Sequence, residues 1–301
     1  MDKTLHQNRW NEIAWNGISF NKPAVWEIAT LGRNYLMIGT HEYPRMEITW
    51  GISDKPASYQ RDIKKLLSRI YKQHLSAVDP WVPSAAWLAA LNSYETSGFT
   101  WKRSETISFG VIVSCSTCRR VSLIQFFQHA NEPDLFHDIA PRVLSSFIDH
   151  TNGNDRQWAV FDIRAILPTE FLIKTYQFSS GYMEMVFLSH GRQISFYRWS
   201  PASVLLSDRK LIDFAKSLHI YPDESSQNAE DANRIEWESV PSFGLWMRFA
   251  AFFPGRFSYH RVLIRHDIEN NRILAIKAES KHKMDSSHLD RIFSSYEIAA
   301  A

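Results

Sequence analysis

This chain of 301 residues has few cysteines, no long apolar run and no excess of charge, and each shortage excludes a class of protein. Two cysteines are too few for the disulfide framework of a small secreted protein. No stretch approaches the roughly 20 apolar residues that would span a bilayer. The 34 basic and 32 acidic residues give a formal net charge of +2, so binding to nucleic acid by phosphate neutralisation is not expected. Only a local basic patch formed on folding would permit it.

The sequence also lacks the short motifs that identify common enzymes. It has no Gly-x-Ser-x-Gly elbow, no phosphate-binding loop and no dinucleotide fingerprint. An active site whose residues converge only after folding would leave no such motif, so an enzyme stays open as an alternative. The first ten residues lack the apolar core of a signal peptide, and there is no Asn-x-Ser/Thr sequon. We therefore expect a cytoplasmic protein.

What the sequence does contain is one order of features that occurs twice, from about Trp15 to His150 and from about Trp158 to Ala301. Each copy has a Trp-led strand, a proline, an aromatic residue, a glycine and a later strand that ends in tryptophan. Self-similarity in a fixed order indicates a duplicated structural unit. We therefore predict two domains, residues 1–150 and 151–301, joined by the polar run 150–156.

The apolar periodicity predicts the fold class. Alternating apolar positions with short turns favour mainly antiparallel sheets, with hairpins predicted at 109–127 and 260–278. Apolar residues spaced by three and four predict helices, among them 63–71 and 211–218. The predicted fold is therefore α+β, a tandem duplication of a mainly antiparallel sheet covered by helices.

A Pro-x-x-aromatic motif follows the first strand of each copy, at Pro23–Trp26 and at Pro168–Phe171. This motif, the strands on both sides of it and the covering helices together resemble the element order of Mog1/PsbP-like α+β domains. The resemblance implies an alternative fold of Mog1/PsbP-like α+β sandwich repeats. It transfers no functional residue to this chain.

Two aromatic segments, 79–91 and 241–254, interrupt the recurring order. Tryptophan and phenylalanine are enriched where protein partners bury a surface. We therefore predict a non-enzymatic macromolecule-binding protein, a scaffold, adaptor or accessory subunit of a larger complex, that binds a protein partner through these aromatic insertions. The same residues could instead belong to the core. The predicted partner-binding residues are Trp81, Trp87, Trp246, Phe249, Phe252 and Phe253.

A second functional hypothesis stays open beside the first. Duplicated folds commonly place a pocket between their halves. The alternative is therefore an enzyme or a small-ligand-binding protein with a site in the cleft between the two repeats. The sequence predicts no catalytic residue for such a site.

Cys115-Ser-Thr-Cys118 has the spacing of a metal-binding or redox-active pair. A zinc site needs about four ligands, and His129, His137 or a second chain would have to supply the others. A redox-active pair usually opens a helix, whereas this pair lies in a predicted hairpin turn. We therefore expect a structural thiol pair with no metal or other cofactor, and keep Cys115 and Cys118 as weak candidates for zinc.

Overall fold

The computed structural model describes residues 9–52, 68, 78–129, 137–151, 153–218, 228–239 and 257–299. Its helices are α1 (Ala85–Ala90), α2 (Ile139–Ser145), α3 (Ala202–Leu205), α4 (Leu211–Ser217) and α5 (Ser286–Ser295). Its strands, in chain order, are β1 (Trp10–Trp15), β2 (Ile18–Pro23), β3 (Glu27–Gly32), β4 (Tyr35–Gly39), β5 (Pro44–Ile52), β6 (Asp79–Pro80), β7 (Glu95–Arg103), β8 (Thr106–Ser114), β9 (Arg120–His129), β10 (Asp155–Val160), β11 (Ile163–Pro168), β12 (Leu172–Ser179), β13 (Tyr182–Ser189), β14 (Arg192–Trp199), β15 (Asn228–Asp231), β16 (Arg234–Ser239), β17 (Tyr259–Asp267), β18 (Arg272–Ser280) and β19 (Glu297–Ile298).

The chain divides into two compact units. The first runs to Gly153 and also contains Gln157–Asp162, and the second contains Asn154–Arg156 and Ile163–Ile298. The first unit has a seven-stranded sheet in the order β3-β4-β5-β9-β8-β7-β6, and its β1 pairs with β2 and β10. The second unit has a seven-stranded sheet in the order β12-β13-β14-β18-β17-β16-β15, and its β11 pairs with β19.

The prediction of helix-covered α+β repeats is wrong, and so is the Mog1/PsbP-like alternative. The structure consists mostly of antiparallel strands, which form three sheets. Strands make up 55% of it and helices 15%. The longest described helix, α5, has 10 residues. A helix of that length extends about 15 Å, whereas seven paired strands span about 29 Å, so each described helix can cover only part of a sheet.

The predicted duplication is not clearly shown by the described residues either. The two wide sheets share a strand order, but the described helices of the two units differ in number and length. The predicted helix 63–71 lies almost wholly outside the described residues, whereas the one predicted at 211–218 is confirmed as α4. Within the part of the chain that the structure describes, no helix is both long enough and apolar enough to cross a bilayer.

Both predicted hairpins are confirmed. β8 and β9 pair antiparallel from Thr106 opposite His129 to Ser114 opposite Val121, and β17 pairs with β18 in the same way. Residues 121–127 of β9 are all buried, so both faces of this strand are covered. A strand buried on both faces loses the polar alternation that marks a solvent-facing strand.

Two tryptophans form the centre of a core in the first unit. Trp15 and Trp158 are completely buried, and their rings meet edge to face with centroids 5.4 Å apart. The indole Nε1 of Trp15 also donates a hydrogen bond to the carbonyl oxygen of Gly32, at 2.8 Å. This contact ties the end of β1 to the end of β3.

The outermost strands of both wide sheets are irregular or very short. β3 has a register shift between Ile28 and Thr30, and β12 has one between Ile173 and Thr175. At the opposite ends, β6 has two residues and β15 has four. Both edges of each wide sheet are therefore formed by strands that are either bulged or short.

Lys22, in β2, places an amine in a buried position of the first unit. Its Nζ donates a hydrogen bond to the carbonyl oxygen of Trp26, and burial lowers its pKa from 10.5 to about 8. Above about pH 8 the unfolded chain still binds this proton while the folded chain does not, so the free energy of unfolding should rise up to about pH 10.

Lys22→Met is expected to remove this rise, because methionine fills a similar volume without a titratable amine. Denaturant unfolding of both proteins between about pH 7 and pH 10 measures the effect. An equal rise in the variant would show that another group causes it.

Candidate functional site

The structure describes two of the six predicted partner-binding residues. Trp81 follows β6 and is half-buried, whereas Trp87, in α1, is only 1% exposed. The Trp87 ring packs on those of Trp81 and Phe126, with centroid distances of 5.1 and 5.4 Å. Trp87 is therefore part of a core, and its partner-binding role stays a prediction. The other four, Trp246, Phe249, Phe252 and Phe253, lie outside the described residues.

Backbone contacts fix the segment that carries these two tryptophans. Trp81 donates its backbone N–H to the carbonyl oxygen of Gly98, at 3.2 Å. A Cβ on Gly98 would collide with the Trp81 carbonyl, so glycine permits this close approach. The backbone N–H of Leu88 donates to the carbonyl oxygen of Ser84, the residue before α1, at 3.0 Å.

The outward side of the same segment is apolar. No residue from Trp81 to Leu91 carries a charge. Val82 is 83% exposed and Leu88 is 44% exposed, while Ala85, Ala86 and Ala89 are also exposed. We call residues 81–91 the insertion surface. Its inner side holds Trp87 and its outer side offers uncharged atoms to solvent.

A second candidate site lies in the same unit, at the turn between β8 and β9. The structure brings the thiols of Cys115 and Cys118 together with the side chains of Asp149 and His150, and one ligand atom from each lies within 4.8 Å of all the others. Cys115 Sγ is 3.5 Å from His150 Nδ1, and Cys118 Sγ is 3.3 Å from Asp149 Oδ2. We call these four residues the thiol cluster.

The hairpin turn places both thiols on one side. Cys115 donates its backbone N–H to the carbonyl oxygen of Arg120, and Arg119 donates its own to the carbonyl oxygen of Cys115, both at 3.0 Å. Arg119 has a φ of 59°, in the left-handed region, which closes this turn. The compact turn explains how residues 115 and 118 come to face the same neighbours.

The segment after α2 supplies the other two side chains. Ile148 exchanges two backbone hydrogen bonds with Ser19 of β2, each 2.8 Å long, which fixes the residues that follow it. The guanidinium of Arg120 donates to the backbone carbonyl oxygens of Asp149 and Gly17. The position of Asp149 is therefore set by backbone contacts on both sides.

The thiol cluster contains one buried acidic side chain, that of Asp149. The Asp149 side chain is 2% exposed, and its Oδ1 lies 2.6 Å from His150 Nδ1 and 3.4 Å from the Tyr94 hydroxyl. Burial, together with the charge of Asp149, raises the pKa of the Cys118 thiol.

The sequence identified the thiols of this cluster and missed its other two members. His150 was assigned to the link between domains, and Asp149 was not considered. His129 and His137, the histidines proposed as further ligands, are not in the cluster, and His129 Nδ1 instead lies 3.3 Å from the Thr106 hydroxyl. Asp149 is 31 residues from Cys118, so no local pattern links them.

Comparisons with known proteins give no family for this chain. No family model matches it, and no curated protein matches it. Among solved structures, a Bacteroides thetaiotaomicron protein matches with a TM-score of 0.32 and 11% identity, over 53% of each chain. Immunity protein TplEi of T6SS from Pseudomonas aeruginosa matches with a TM-score of 0.33 and 12% identity, over 96% of this chain and 97% of the other. The Pseudomonas aeruginosa MucA/MucB complex matches with a TM-score of 0.23 and 9% identity, over 94% of this chain and 84% of the other.

These likenesses are weak. The chain spans about half the length (53%) of the Bacteroides protein that it matches. TplEi has also been solved in complex with an "L" peptide, so two of these neighbours form complexes with a protein or peptide. Because the three TM-scores lie between 0.23 and 0.33, none of them assigns a fold or a partner to this chain.

Proposed function

We propose that this chain is a protein-binding protein and that the outer side of the insertion surface contacts its partner. One observation carries the proposal: eleven consecutive residues, 81–91, have no charge, yet the apolar side chains of Val82 and Leu88 are both exposed. The centres of protein interfaces are depleted in charged residues and enriched in aromatic ones. A contiguous exposed apolar surface is a common mark of an interaction site.

The core contacts of the same segment make it a suitable docking surface. The ring of Trp87 is fixed between those of Trp81 and Phe126, so the backbone beneath Val82 and Leu88 is already ordered. A surface that is ordered before binding loses less conformational entropy when a partner docks. The proposed anchors are therefore the exposed neighbours of Trp87, with the half-buried Trp81 ring at their edge.

The double variant Val82→Asp/Leu88→Asp is expected to weaken partner binding by about 30-fold or more, since interface anchors are often worth about 2 kcal/mol or more. The fold should remain intact, because surface substitutions usually change stability by less than about 0.5 kcal/mol. The matched control is Val204→Asp/Ile268→Asp, which places two charges on exposed apolar residues of the second unit.

The measurement has two stages. Proteins retained by the immobilised wild-type chain are compared with those retained by each double variant, and the Kd of any partner lost only with Val82→Asp/Leu88→Asp is then measured with purified proteins. Equal Kd values for the wild type and this variant would refute the proposed surface.

We further propose that the protein works in the cytoplasm, where neighbouring free thiols such as Cys115 and Cys118 stay reduced. A scaffold, adaptor or accessory subunit remains the proposed role. The enzyme or small-ligand alternative stays a prediction, and no observation in the described residues favours it over protein binding.

A further inference from the structure

The thiol cluster contains the ligand types that zinc prefers. Zinc binds cysteine sulfur, histidine nitrogen and carboxylate oxygen, and its structural sites have four such ligands in a tetrahedron. Cys115, Cys118, Asp149 and His150 supply two sulfurs, one oxygen and one nitrogen within 4.8 Å of one another. Thiolates combined with an imidazole select zinc over hard cations such as magnesium or calcium, which prefer oxygen ligands.

The distances within the cluster agree with a tetrahedral site. Zinc–ligand bonds of about 2.0–2.3 Å place tetrahedral ligands roughly 3.3–3.8 Å apart. The separation between Cys115 Sγ and His150 Nδ1 is 3.5 Å, and that between Cys118 Sγ and Asp149 Oδ2 is 3.3 Å. These two edges need almost no rearrangement to accept the ion.

One hydrogen bond of the cluster must break for the ion to bind. His150 Nδ1 lies 2.6 Å from Asp149 Oδ1, the length of a charge-assisted hydrogen bond. An ion bound to His150 Nδ1 and to Asp149 Oδ2, the oxygen beside Cys118 Sγ, would end this hydrogen bond, so the imidazole must move away from Oδ1. The His150 side chain is 29% exposed, so its ring has room to shift.

We propose that Cys115, Cys118, Asp149 and His150 bind one structural zinc ion. This replaces the expectation from the sequence of a thiol pair without a metal. Four protein ligands leave no position open for a substrate, which is typical of a structural rather than a catalytic zinc site. The ion would join the β8–β9 turn to the segment after α2, two parts of the first unit that are 31 residues apart.

The protons of this reaction balance simply. Both cysteine thiols release their protons to solvent when the sulfurs bind the ion, and the proton between His150 and Asp149 moves to His150 Nε2 or to solvent, so His150 binds through an unprotonated Nδ1 of a neutral imidazole. Asp149 binds as a carboxylate. The ion and its four ligands then carry a net charge of −1, and the Arg120 guanidinium, which donates to the Asp149 backbone carbonyl, lies close enough to offset part of it.

The test measures zinc in the full chain produced without a histidine tag and dialysed against metal-free buffer. We expect about one zinc per wild-type chain by elemental analysis, and little or none in Cys115→Ser and His150→Ala. His137→Ala is the matched control, since it removes an exposed imidazole outside the cluster and should keep the ion. X-ray absorption of the wild-type protein should show two sulfur and two nitrogen or oxygen neighbours.

If the variants fail to fold, zinc binding can still be tested on the wild-type chain. A chelator should lower the melting temperature, and added zinc should restore it, because an ion that binds only the folded state stabilises it. Cobalt in place of zinc should give the thiolate-to-metal absorption of a tetrahedral site. Wild-type protein without zinc, zinc without sulfur neighbours, or equal zinc in Cys115→Ser and wild type would each overturn the proposal.

Discussion

Replacing Trp15 with alanine is expected to lower the free energy of unfolding by about 3–5 kcal/mol, the usual range for removing a buried tryptophan. Its ring is completely buried and lies edge to face on the ring of Trp158. The change would also leave the carbonyl oxygen of Gly32 without the indole donor that now lies 2.8 Å away. Loss of this partly buried hydrogen bond adds a cost of about 0.5–1.5 kcal/mol.

Denaturant unfolding followed by circular dichroism measures this effect without relying on tryptophan fluorescence. Trp15→Phe is the control, because it keeps an aromatic ring against Trp158 and loses only the hydrogen bond and part of the volume. We expect it to be destabilised by less than the alanine variant. A loss below about 1 kcal/mol for Trp15→Ala would mean that the core can close around the missing ring.

Trp87→Ala is expected to cost a similar 3–5 kcal/mol, because the ring fills the space between α1 and β9. The size of this loss of stability distinguishes a core residue, Trp87, from a surface residue, Leu88, in the same helix. Leu88→Ala, at the next position and 44% exposed, should change stability by less than about 0.5 kcal/mol.

Thermal melts of the two variants, compared with that of the wild type, decide between the two roles. An unchanged melting temperature for Trp87→Ala would show that the ring is not required for folding. Any loss of partner binding by Leu88→Ala at full stability would support the insertion surface independently of the aspartate variants.

Local features of the fold could be predicted from the sequence. The β8–β9 hairpin follows from alternating apolar residues on both sides of a short turn, and α4 follows from apolar residues spaced by three and four. Both patterns involve neighbours within about 25 residues. The width of the sheets could not be predicted, because it depends on pairings such as Met46 with Phe126, which join distant parts of the chain.

The candidate sites show the same limit. The Cys115–Cys118 spacing is visible in the sequence, but Asp149 reaches the thiols only because Ile148 pairs with Ser19 of β2. Composition also cannot separate Trp87 from Val82, since both belong to one uncharged apolar segment. Only the packing of α1 against the sheet makes one of them a core residue and leaves the other at the surface.

The shape of the outermost strands has a consequence for the behaviour of this protein at high concentration. Sheets rich in aromatic residues can grow by adding strands from other molecules when their edges are long and straight. In each wide sheet of this protein, a register shift interrupts one edge strand, β3 or β12. The other edge strand, β6 or β15, is too short to offer a long template. The native protein should therefore resist fibril formation, and straightening an edge, for example by deleting Lys174 from the bulge of β12, should promote aggregation.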